Sequence, residues 1–124
     1  MKKQLLSLTL SLGISLICWN ANAYPGEHQL GKCMTFAESY AANNRGTSLL
    51  VMLDPLNNAG HIVVKTADGG LLDNLFPIAE YGVDIQEFYI IHSYRYARLI
   101  DVIDYDNKTA KNQSKLDWLR KHEQ

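Results

Sequence analysis

Between Thr47 and Phe76 three short apolar runs alternate with two breaks dense in turn-forming residues. The runs are Thr47 to Leu53, His61 to Thr66 and Leu71 to Phe76; the breaks are Asp54 to Gly60 and Ala67 to Gly70. Parallel strands need a crossover of about a dozen or more residues, so spacing this tight predicts hairpins and an antiparallel sheet. The second hairpin has two candidate registers. A three-residue loop, Ala67-Asp68-Gly69, sets Thr66 opposite Gly70 and Val63 opposite Asp73, which brings His61 and Asp73 onto one face as diagonal neighbours. A two-residue loop, Asp68-Gly69, puts them on opposite faces. Gly69 stands where the three-residue loop needs a left-handed residue.

The flanks complete the predicted architecture. In Cys33 to Asn44, residues Cys33, Phe36, Ala37, Tyr40 and Ala41 form one apolar stripe at helical spacing, and Gly46 supplies a stop. Gln86 to Ser93 and Tyr96 to Ile103 are rich in β-branched and aromatic residues and read as two more strands. Thr109 to Gln124 reads as a polar helix with Leu116 and Leu119 on one side. The expected fold is therefore α+β: an N-terminal helix carrying Cys33, packed on an antiparallel sheet of about five strands, then a C-terminal helix.

The first 23 residues read differently. Lys2 and Lys3 precede an apolar run from Leu5 to Trp19, and Asn20-Ala21-Asn22-Ala23 offers small residues for a signal peptidase. This pattern predicts a secretory signal cleaved before Tyr24 and a periplasmic or secreted location. The run is shorter than the ~20 residues a membrane span needs, so no stable membrane insertion is expected after cleavage. Ile17 before Cys18 argues against a lipid anchor there. The predicted organisation is a signal peptide over 1–23, one domain over 24–104, and a polar helix or tail over 105–124.

Of 124 residues, 47% are apolar and 20% charged, which is a globular composition. All 13 acidic residues but only 10 of the 12 basic ones follow residue 23, so the remainder carries a net charge of −3 with His neutral. That excludes nucleic acid or anionic lipid as the main partner. Tyr89, Tyr94, Arg95, Tyr96 and Arg98 mix aromatic and basic residues, but on alternating strand faces, and are assigned to sheet surface and core. The Lys-rich end, from Lys108 to Lys121, reads as a solvated helix face.

Chemistry concentrates in three residues. Signal cleavage removes Cys18 and leaves Cys33 as a lone thiol in a compartment that is usually oxidising. Cys33 begins a helix, where free N–H groups and the helix dipole favour a thiolate, and Lys32 adds positive charge. His61 begins one strand and Asp73 lies on the next. A His oriented by a carboxylate beside a helix-start Cys is the thiol form of the nucleophile, base and orienter arrangement. The Cys33 N–H would donate to an oxyanion, and Gln29 has the chemistry of a second donor. Each residue also has an inert reading: Cys33 as a small core side chain, His61 as an exposed strand start, Asp73-Asn74 as a polar bend. His28, His92 and His122 form no zinc-ligand spacing, so no metal or other cofactor is expected.

Three segments in order resemble bacterial transglutaminase-like cysteine peptidases. Gly31-Lys32-Cys33-Met34-Thr35-Phe36-Ala37 resembles their nucleophile segment, Gly60-His61-Ile62-Val63-Val64 their Gly-His segment, and Gly70-Leu71-Leu72-Asp73-Asn74-Leu75 their Leu-Asp-Asn segment. The resemblance spans roughly Gln29 to Tyr81. It implies a papain-like fold, a Cys-His-Asp triad at Cys33, His61 and Asp73, a periplasmic location, and a protein or peptide substrate cleaved through a thioester. Positions that are acidic in the family are Lys32, Met34 and Thr35 here, so calcium is not implied. The segment preceding Cys33 is short, which keeps an alternative open: an inactive, truncated version of the same fold acting as a secreted protein-binding module.

Overall fold

The computed structural model describes residues 24–55, 59–92 and 97–123. The predicted signal peptide with Cys18, and Tyr94, Arg95 and Tyr96, lie outside the described residues. In chain order the elements are α1 (Cys33–Asn43), β1 (Ser48–Asp54), β2 (Ala59–Lys65), β3 (Leu71–Leu72), α2 (Ile85–Ile91), β4 (Arg98–Asp104) and α3 (Ala110–Lys121). The fold is α+β, with one antiparallel sheet of order β3-β2-β1-β4.

Two apolar clusters hold the sheet between them. On one face Leu49, Val51, Ile62, Val64, Leu72 and Ile103 pack with Met34, Phe36, Ala37 and Ala41 of α1 and Leu116 of α3. On the other, Leu50, Met52, Val63 and Leu71 pack with Phe88, Tyr89 and Ala97. Alternate residues of β1 thus face opposite clusters, as the period of two in a strand requires. A sheet covered on both faces explains why β1 is apolar almost throughout.

The second hairpin adopts the three-residue register. Thr66 N–H donates to Gly70 O at 2.9 Å, and Val64 pairs with Leu72. Gly69 has φ +94°, the left-handed conformation such a loop requires. Thr66 Oγ1 adds to the closure, accepting the Gly70 N–H at 2.8 Å while donating to Asp68 Oδ1 at 2.5 Å.

Two expectations are corrected. The returning strand was expected to run from Leu71 to Phe76, but only Leu71–Leu72 pairs with β2. Asp73 ends it: its Oδ1 accepts the N–H groups of Leu75 (3.0 Å) and Phe76 (2.8 Å), turning the chain before Pro77. Gln86 to Ser93 was expected to be a strand and instead contains most of α2, so the described sheet has four strands rather than about five. Ile85, Phe88, Tyr89 and His92 follow helical spacing. Asp84 and Glu87 form a reciprocal cap, with Glu87 N–H donating to Asp84 Oδ1 (2.8 Å) and Asp84 N–H to Glu87 Oε1 (3.1 Å). Residue-type preference pointed to strand; periodicity and the cap decide for helix.

Asp84→Ala is expected to lower stability by about 1 kcal/mol through loss of that cap. Phe88, fully buried, is expected to cost about 3–5 kcal/mol when replaced by Ala. Urea unfolding measures both.

Candidate active site

Cys33 is the first residue of α1, and no side chain caps that helix at Lys32. The first N–H groups of a helix lack partners within it, which leaves polarised donors around the thiol. What seats this helix start is the lead-in from Tyr24 to Lys32. Gly26 takes φ +87°, and a Cβ there would come within 2.8 Å of Lys32 O, so the chain folds closely against the helix start only with glycine. Asn74 fastens the same segment. Its Nδ2 donates to Gln29 O at 2.5 Å and Gly26 O at 3.3 Å, and its backbone carbonyl accepts the His28 N–H at 2.6 Å. Asn74 is buried and adjoins Asp73, so one turn holds both the helix start and the carboxylate.

His61 and Asp73 meet directly. His61 Nε2–H donates to Asp73 Oδ2 at 2.9 Å, and Asp73 is completely buried. The carboxylate therefore holds three donors: the imidazole and the Leu75 and Phe76 amides. The Cys33 side chain also acts on the His61 ring and favours its charged form. Tyr89 stands edge-on to the same ring, with centroids 6.3 Å apart. Burial disfavours the charged imidazole. The hydrogen bond to Asp73 and the Cys33 side chain, with the charge they carry, outweigh it and push the His61 pKa up to about 9. The arrangement favours an imidazolium.

Cys33 and His61 line one cleft of about 590 Å³, together with Leu30, Leu75, Ile100, Trp118 and other largely apolar residues. Cys33 is partly exposed there and forms no disulfide among the described residues. Gln29, expected to offer an oxyanion donor, is exposed and lies outside the lining; its backbone carbonyl accepts from Asn74 Nδ2. No group of three or more His, Cys, Asp or Glu among the described residues could hold a metal ion, and no helix among them is long and apolar enough to cross a membrane.

The C-terminal helix contributes a wall that sequence reasoning missed. Thr35 donates through N–H to Glu123 Oε2 (2.6 Å) and through Oγ1 to Glu123 Oε1 (2.5 Å). A carboxylate from the end of the chain thus satisfies a free donor in the first turn of the Cys33 helix. One turn along each helix, Arg120 makes a two-pronged contact to Glu38, Nε to Oε1 at 2.8 Å and Nη2 to Oε2 at 2.6 Å. The only available sequence signal was charge complementarity across more than 80 positions, which no local pattern reveals. No protein-family model, curated protein or solved structure matches this chain.

The folded-state pKa of His61 lies above its ordinary 6.5, so its contribution to stability is fully present below about pH 6.5 and is lost as pH rises through about 9. The His61 ring protons in NMR are expected to titrate near 9, and Asp73→Asn is expected to lower that midpoint by at least about one pH unit. Glu123→Ala is expected to cost about 1–2 kcal/mol in urea unfolding, as loss of hydrogen bonds to a charged acceptor does.

Proposed function

We propose that this chain is an exported thiol hydrolase of the cysteine peptidase type, with a transglutaminase-like, papain-like fold, acting on peptide or amide bonds. The observation that carries the reading is the imidazole of His61, held by Asp73 at 2.9 Å and lining one cleft with Cys33 at a helix start. Among the described residues Asp73 bonds no other side chain, so its burial makes sense as a fixed anchor for the ring tautomer. Export is proposed from the residue pattern over 1–23, which also makes the surroundings of Cys33 extracytoplasmic.

The chemistry runs in two halves. Cys33 Sγ attacks the substrate carbonyl carbon while its proton resides on His61. The carbonyl oxygen gains the electron pair, and the Cys33 N–H donates to it in this reading. As the tetrahedral species collapses, the C–N bond breaks and His61 gives its proton to the leaving amine, leaving a thioester on Cys33. Water then attacks the thioester, His61 takes a proton from it, and the C–S bond breaks to release the acid. Asp73 stabilises the imidazolium in both halves. An amine in place of water would give acyl transfer with the same residues.

Iodoacetamide alkylation of Cys33, followed by mass spectrometry across pH, tests the reading. Wild type is expected to alkylate rapidly below neutral pH, and His61→Ala to slow that reaction about tenfold or more, because the imidazolium that pairs with the thiolate is gone. Cys33→Ala is expected to abolish amide hydrolysis altogether. A thiol indifferent to His61 would sink the hydrolase and leave the secreted binding module in its place.

A further inference from the structure

The cleft over Cys33 has an apolar rim supplied by three separate parts of the chain. Leu30 precedes α1 and is 85% exposed, Ile100 lies on β4 at 56%, and Trp118 lies on α3 at 59%. Large apolar side chains this open gain free energy when something apolar covers them. Two of the three are placed by specific backbone devices. Val51 pairs with Asp101 but Met52 pairs with Leu99, so Ile100 is the extra residue of a β-bulge. Bulges re-aim a side chain out of the strand's alternation, and this one occurs where the strand borders the cleft. Trp118 is braced from behind by His122, whose ring stacks on the indole at 3.9 Å and 16°, and whose Nδ1–H donates to Trp118 O at 2.7 Å. The indole is thus held as a preformed wall.

Among the polar groups of the lining, Asn74 Oδ1 is buried with no hydrogen-bond partner among the described residues and, as an acceptor, gives nothing to an incoming carboxylate, while the carboxylate and the imidazole are engaged. Glu123 gives both carboxylate oxygens to Thr35, and His61 is bonded to Asp73. A carboxylate entering this cleft would meet few donors to replace its water. An acyl group, by contrast, must remain in the cleft for the life of its thioester, because Cys33 lines the same cavity.

We infer that Leu30, Ile100 and Trp118 form the acyl-side subsite of this cleft, selecting a large apolar side chain, aromatic or branched aliphatic, on the residue whose carbonyl Cys33 attacks. The inference rests on the thiol hydrolase reading for its chemistry and on the rim for its specificity. A volume of about 590 Å³ accommodates a residue of that size with its flanking backbone.

N-acetyl aminoacyl chloromethyl ketones carrying Phe, Leu or Asp test it on the full chain. Sγ displaces chloride to form a thioether, and peptide mapping locates the adduct on Cys33. The Phe and Leu reagents are expected to react at least about tenfold faster than the Asp reagent, the scale on which apolar pockets discriminate. Trp118→Ser and Ile100→Ser are each expected to cut the Phe-to-Asp rate ratio at least about fivefold. A ratio near one, or a ratio unchanged in both variants, overturns the subsite. If no reagent modifies Cys33, Trp118 fluorescence in a Trp19→Phe chain decides. A saturable change with N-acetylphenylalaninamide but not with the aspartyl analogue supports the subsite while the hydrolase falls. No difference between the two ligands removes the subsite as well.

Discussion

Asp73 is a carboxylate with no access to water, and such a group persists only when its acceptors are filled. Three donors fill them: the His61 imidazole and two amides of the turn that Asp73 itself creates. The same turn ends β3, places Asn74 against the lead-in, and so sets where α1 begins. The thiol, the imidazole and the carboxylate are therefore products of one local solution to one burial problem. The cost of leaving that carboxylate unpaired, several kcal/mol, is the reason the surrounding geometry has so little freedom.

Around this centre the two helices that border the cleft are tied to each other rather than only to the sheet. Arg120 reaches Glu38, and Glu123 reaches Thr35, so the last turns of α3 lie against the first turns of α1. Leu116, buried in the cluster beneath α1, gives the contact its apolar part. The segment after residue 104, polar by composition, is consequently an integral wall of the cleft. Lys108, Lys111, Arg120 and Lys121 stay exposed, as the composition suggests, while Arg120 and Glu123 also tie the segment to α1.

Where the sequence was misleading, it was so for a physical reason. Phe88 and Tyr89 are aromatic residues in a β-branched neighbourhood, a preference that favours strand. That preference reflects how side chains fit a pleated, half-buried surface, and any other apolar surface satisfies them equally. Here they sit on a short capped helix against the second face of the sheet. The returning strand was overextended because Asp73 offers its own side chain to the backbone, competing with the sheet ladder. Both signals, Asp84-x-x-Glu87 and Asp73 before Pro77, were present locally but outweighed by residue type.

The local sequence by itself determined the hairpins, the helix at Cys33 and the helix at the C-terminus, because turn residues and apolar periodicity act over a few positions. It also narrowed the second hairpin to two registers, and Gly69 favoured the one observed. Only the tertiary structure decided that His61 reaches Asp73 at 2.9 Å, that Asn74 holds the lead-in, and that Glu123 closes on Thr35. Those contacts join residues distant along the chain, and their partners are chosen by packing and by the need to satisfy buried polar groups, which no window of sequence contains.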